Sequence, residues 1–183
     1  MTLGTTGIAF TSGESLTVEH CNIMNFSSYG INFQPAVRAN LVVADSNIEN
    51  AAGGAVISSA GGGGINRVVI ARSNLHRSAF GVASGTNSSV QVWQSSIGPN
   101  AGAGVIASGT SAQAGVDQST ITNNQVAGVQ ATSGGTVQLS NNSITYNNGP
   151  AMQASGGQIL SFGNNWVVGN MPDGTRSGTI MPQ

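Results

Sequence analysis

The sequence predicts an all-β fold, a right-handed parallel β-helix of about seven coils, each 22–27 residues long. Three observations carry that prediction. Aliphatic anchors recur at Ile23, Ile48, Leu75, Ile97, Ile121, Ile144 and Val167. Further columns keep step with them over seven repeats, and self-similarity at a fixed period is the mark of a solenoid. No segment carries the apolar spacing of three and four that a helix requires.

The columns define the elements of each coil. Five residues before the anchors stand Val18, Val43, Ile70, Val92, Val116, Leu139 and Phe162. Seven before them stand Leu16, Leu41, Val68, Val90, Ala114, Val137 and Leu160. Alternate apolar residues of this kind read as one short strand, and the anchor marks a second. A Gly–aliphatic or Ala–aliphatic restart, from Gly7-Ile8 to Ala151-Met152, follows, so that each coil holds two or three strands. Strands of three to five residues joined by bends fill a coil, and coils stacked at the inter-strand spacing make a rod about 34 Å long. The small polar column Cys21, Ser46, Ser73, Ser95, Ser119, Asn142 and Asn165 is expected to face inward and to bond along the stack. Cys21 is read as a small buried residue in that column. The Gly61–Gly64 run lengthens the third coil as a bulging loop.

One domain suffices: coils over residues 1–170 and a capping tail over 171–183. The chain enters its first coil at once, with no cap over it. A stack needs capped ends, so a natural protein extending further at the amino end is the expectation.

Composition narrows the class of partner. Only 6% of residues are charged, none is lysine and the net charge is −1, so no basic stripe invites nucleic acid. No apolar run is long enough to span a membrane. A lone cysteine and two histidines on different coils match no metal-ligand spacing, and no cofactor is implied. Asn25-Phe-Ser, Asn87-Ser-Ser and Asn141-Asn-Ser match glycosylation acceptors, which Asn-rich loops produce by accident. The threonines fall in different columns, so no ordered ice-binding array forms.

Three stretches carry a family resemblance: Gly30-Ile-Asn-Phe33, Val-Ala-Asp45-Ser-Asn-Ile48, and Leu160-Ser-Phe-Gly-Asn-Asn-Trp-Val-Val-Gly-Asn170. The chain resembles the bacterial right-handed parallel β-helix repeat proteins of alphaproteobacteria, within the pectin-lyase-like superfamily. The resemblance implies an exported protein, secreted or periplasmic, with further amino-terminal coils. It implies no specific activity, since a fold does not name a function.

Chemistry is therefore sought among outward positions. Four residues before the anchors lie Glu19, Ala44, Ala71, Trp93, Asp117, Ser140 and Gly163, and three before them His20, Asp45, Arg72, Gln94, Gln118, Asn141 and Asn164. Neighbouring rungs are about 5 Å apart, so Glu19 and Asp45 are candidates for the paired carboxylates of glycoside cleavage. Trp93 is a stacking surface for a sugar, and His20, Arg72, Gln94, Gln118 and Asn141 are candidate ligand contacts. The plainer account of the charges is an ion-pair ladder, Asp45 lying between His20 and Arg72. Glu49, His76 and Arg77 form a second charged group. The acids are too few and scattered for the calcium cage of a pectate-type lyase.

Three functions follow. The favoured one is a non-enzymatic module, glycan-binding or structural, at the cell surface. The second is a polysaccharide lyase or glycoside hydrolase using Glu19 and Asp45. The third is a self-assembling building block, with Val42, Val69, Ile57 and Ile106 as an apolar strip and lateral or end-to-end coil contacts making a homo-oligomer.

Overall fold

The computed structural model describes residues 3–62 and 64–181. Among them are 22 strands and no helix. The chain visits three sheets in rotation, so that each strand pairs with those three before and three after it, except that the final strand, Gly178–Thr179, joins its sheet one step early. Sheet 1 holds Ile8–Phe10, Tyr29–Phe33, Gly54–Ser58, Val82–Ser84, Ala103–Ser108, Ala127–Thr132 and Met152–Ser155. Sheet 2 holds Ser15–Glu19, Asn40–Ala44, Asn66–Ala71, Ser88–Trp93, Gln113–Asp117, Thr136–Ser140, Gln158–Ser161 and Gly178–Thr179. Sheet 3 holds Asn22–Phe26, Asn47–Ala51, Asn74–His76, Ser96–Ile97, Thr120–Thr122, Ser143–Thr145 and Trp166–Val168. All pairings between these strands are parallel, as a coil that always turns the same way requires. Seven coils are stacked.

The registers place the predicted columns in line. Ile23 faces Ile48, Ile48 faces Leu75, and the anchors continue in contact to Val167. From Ile48 to Ile144 the anchors have no accessible surface. Each such side chain, taken wholly out of water, stabilises by about 1.5–3 kcal/mol. The core is this inner aliphatic lining, extended by Phe10 stacked on Phe33 at 5.0 Å near the amino end.

One coil departs from the expected columns. In the seventh, Ile159 faces Val137 and Ser161 faces Leu139, so the inward pair is Ile159 and Ser161 rather than Leu160 and Phe162. The reason lies in the following corner. Gly163 takes the left-handed conformation (φ 82°) and Asn164 is an added residue. Counting back a fixed distance from Val167 therefore falls short by one. The Gly-rich bulge of coil 3 leans on the neighbouring loop, where Gly62 lies so near the Ala36 carbonyl that a Cβ would sit 2.2 Å from it. Gly63 of that run lies outside the described residues, as do the residue pairs at the two ends.

The small polar column closes the corner between sheets 2 and 3. Ser46 N–H donates to Ser73 Oγ at 3.1 Å, and the same bond recurs from Ser73 to Ser95 and from Ser95 to Ser119. Ser119 and Asn142 donate likewise to the side-chain oxygens of Asn142 and Asn165. Cys21 begins the column, its N–H donating to Ser46 Oγ, but it is exposed rather than buried. It sits on the first coil, where no described turn lies beneath to cover it.

A second polar ladder, not foreseen as a column, runs three residues after the anchors. Asn100, Asn124, Asn147 and Asn170 are chained amide to amide at 2.7–3.0 Å. Their Nδ2 groups also donate to the carbonyls of Leu75, Ile97, Ile121 and Ile144. Buried amides persist only when partnered in this way. The tail residues Gly178–Thr179 pair with Leu160 and Ser161 at the end of sheet 2.

Candidate functional site

The corner between sheets 2 and 3 is made by a single residue in each coil. His20, Asp45, Arg72, Gln94, Gln118 and Asn141 all take the left-handed region, with φ between 47° and 53°. One such residue turns the chain from one sheet to the next, and its side chain is splayed outward at the edge. Non-glycine residues seldom adopt this geometry, and Asn, Asp and His do so most readily. Repetition of the corner stacks these side chains one rung apart, making a continuous edge beside the outer face of sheet 2.

In the early coils the edge is ionic. Arg72 grips Asp45 with both ends of its fork, Nε to Oδ1 at 2.8 Å and Nη2 to Oδ2 at 2.7 Å. The Arg72 hydrogen bond holds the Asp45 carboxyl below its usual range, with His20 adding a smaller pull, and Asp45 in turn raises Arg72. A shallow depression of about 490 Å³ lies here, lined by His20, Cys21, Asp45, Arg72 and neighbouring Asn and Ser residues. Glu19 faces Ala44 in register on the sheet, while Asp45 turns to Arg72 on the coil above. A general acid needs its proton held near neutral pH. Asp45 is shifted the opposite way, and both of its oxygens are already engaged.

In the later coils the edge is neutral. Gln94 Nε2 donates to Gln118 Oε1 at 3.0 Å, and Asn164 Nδ2 to Asn141 Oδ1 at 3.0 Å. Asp117 accepts from Ser140 Oγ at 2.5 Å and from Asn141 Nδ2 at 3.0 Å. These bonds fix the amides in place and leave their other faces to solvent.

Beside this edge, the outer column of sheet 2 runs Glu19, Ala44, Ala71, Trp93, Asp117 and Ser140. Glu19 and Trp93 are exposed, but Ala44 and Ala71 are buried although they point outward. A methyl on a sheet face is shaded by the longer side chains around it. The two alanines stand between Glu19 and Trp93 in this column, with Val42 and Val69 in the next outward column and the Asp45–Arg72 pair at the adjoining corner. The expected apolar strip is not one surface: Val42 and Val69 lie on sheet 2, whereas Ile57 and Ile106 lie on sheet 1 and face Ala83 between them. The two sheets face different ways, so sequence spacing alone joined residues that the fold separates.

The second charged group sits on sheet 3. Glu49, largely buried, accepts from Arg77 on the next coil, and this bond holds its carboxyl below the usual range. His76 Nδ1 lies 3.7 Å from Glu49 Oε2, and its Nε2 lies 2.7 Å from Asn47 Oδ1. Both ring nitrogens thus point down the stack to partners already present. Among the described residues no three His, Cys, Asp or Glu are grouped to hold a metal ion. No helix is long and apolar enough to cross a membrane.

Comparison with known proteins adds the fold family. No curated protein and no solved structure matches the chain. The family model for the right-handed β-helix region matches residues 60–178, well over half of the sequence. The chain, with its seven coils of parallel sheet, belongs to the right-handed β-helix family.

Proposed function

We propose that this chain is a non-enzymatic β-helix module, presented outside the cell, that binds a glycan along the outer face of sheet 2 and its amide-lined edge. The observation that carries the reading is Trp93. It is 40% exposed, the one aromatic residue within the strands of sheet 2, and stands in line with the small residues Ala44 and Ala71. A flat aromatic ring presented in this way stacks on the apolar face of a sugar. The neighbouring Gln94 and Gln118, bonded to each other, and Asn141, held by Asp117 and Asn164, offer amide donors and acceptors to hydroxyl groups. Binding is favoured over hydrolysis because the Asp45 carboxylate is held by Arg72.

The test is a glycan array probed with the full chain, followed by titration calorimetry on the best ligand. Trp93→Ala should weaken binding about tenfold, the scale of one aromatic stacking contact. Unchanged affinity in that variant would remove this face from consideration. Release of reducing ends that Asp45→Asn abolishes would replace binding with catalysis.

A further inference from the structure

The most exposed aromatic rings of the molecule are not on the face just described. Trp166 is 68% exposed and Tyr146 63% exposed, both on sheet 3 or its margin in the last two coils. Trp166 faces Ser143 in register, and Tyr146 lies three residues beyond Ser143. Their backbone positions are therefore separated by about 10 Å along the strand direction, at about 3.3 Å per residue. Val168, itself exposed, lies between them on the same face.

Tyr146 occupies a left-handed corner with φ 54°. Asn25, Asn50, Arg77 and Asn123 hold the matching corner in other coils, so this left-handed turn recurs along the rod and here carries an aromatic ring. The ring is also seated: Gly169 lies so close that a Cβ on it would come within 2.8 Å of the tyrosine ring. Below the rings, the outward positions of sheet 3 in coils 4 to 6 hold Ser96, Thr120, Thr122 and Ser143, which keep accessible surface, and Thr145, which is buried. None carries a charge. The one hydroxyl-to-hydroxyl bond among them, Thr145 to Thr122, is long at 3.4 Å.

We infer that this end of sheet 3 is a second glycan platform, and that its ligand is a neutral polysaccharide. The inference rests on the reading that the chain binds glycans, but it concerns a different face. Two aromatic planes one disaccharide apart stack on successive apolar sugar faces, and a bed of hydroxyls beside them meets the sugar's own hydroxyl groups. An acidic polysaccharide finds no cation on this surface, so charge complementarity selects an uncharged chain.

Affinity electrophoresis of the full chain through gels containing a neutral polysaccharide (xyloglucan, galactomannan or mixed-linkage β-glucan) tests this, with polygalacturonate and alginate gels as acidic comparisons. Tyr146→Asn should fold normally, because asparagine fits this corner in three other coils. The expected result is retardation by at least one neutral gel, weakened about tenfold by Trp166→Ala and several-fold by Tyr146→Asn, and unaffected by Trp93→Ala. Retardation lost in Trp93→Ala but intact in Trp166→Ala would overturn this inference and leave the sheet 2 reading standing. Retardation by acidic gels alone would overturn it as well. So would no retardation by any gel, which would count against both faces. Concentration-dependent dimerisation abolished by Trp166→Ala, without retardation in a neutral gel, would reassign the surface to a second copy of the chain.

Discussion

The early and late coils share one core but hold their corners together by different chemistry. In coils 1 to 4 the column closing the corner between sheets 2 and 3 is cysteine and serine. Each serine from Ser46 to Ser95 accepts one bond from the preceding coil and returns its own hydroxyl to the carbonyl two residues back, as Ser73 does to Ala71. In coils 6 and 7 the same place is held by asparagine. Asn142 accepts from Ser119, donates to the Val116 carbonyl and donates again to Asn165, so that nearly every bond it makes crosses between coils. Nearly all the charge lies at the other end of the rod. Asp45–Arg72 and Glu49–Arg77 join coils 2 and 3, whereas coils 5 to 7 are joined mainly by amides, together with the Asp117 carboxylate. Fixed amides neither titrate nor respond to salt, while ion pairs do both. The lesson is that one backbone scaffold accepts either device, provided each buried polar atom finds a partner.

The shared core sets the largest expected effect. Ile48→Ala and Ile121→Ala should each destabilise by about 2–5 kcal/mol, read from chemical denaturation. Similar values would support a uniform core, and a large disparity would break the comparison at its base. Next comes the amide ladder. Asn124→Ala strips a partner from Asn100, Asn147 and the Ile97 carbonyl, a loss of about 3 kcal/mol given the cost of stranded buried groups. Ser73→Ala, which removes a single inter-coil acceptor, should cost about 1 kcal/mol. Equal losses for the two would mean that serine and asparagine corners are energetically alike.

Acid gives the smallest and most local effect. The carboxyls of Asp45 and Glu49 are held below their usual range by Arg72 and Arg77. For a group whose folded pKa is depressed, the stabilisation is present at neutral pH and is lost as pH falls below about 4 and through the folded value. Hydrogen exchange from pH 6 to pH 3, corrected for intrinsic rates, should therefore show coils 2 and 3 losing protection while coils 5 and 6 keep theirs. Asp45→Asn combined with Glu49→Gln should flatten that dependence. A loss of protection spread evenly along the rod would show that the charged pairs have no local part in holding it.

The coil count, the anchors and the inward columns were legible in the sequence because a stacked coil must repeat its own pattern. The slip at Ile159 and Ser161 was not, because one added corner residue shifts a strand without changing its composition. Asp45, His20 and Arg72 were correctly placed on neighbouring rungs, since that follows from register alone. The expected ion-pair ladder is seen for Asp45 and Arg72, because a carboxylate is drawn to a guanidinium and repelled by the Glu19 carboxylate. The asparagine ladder was in view as a column three residues after the anchors, but the Asn-rich loops around it masked which amides turn inward. Tyr146 and Trp166 escaped notice for a related reason. Their importance lies in exposure and in a left-handed backbone, and neither leaves a mark on hydrophobic spacing.

By itself, then, the sequence determined the winding: periodic aliphatic residues can be buried together only if successive coils lie in register. The tertiary structure alone decided the surface. There, water competes with every partner, several orientations are open to each side chain, and local geometry settles whether a residue is closed off in a pair or left facing a ligand.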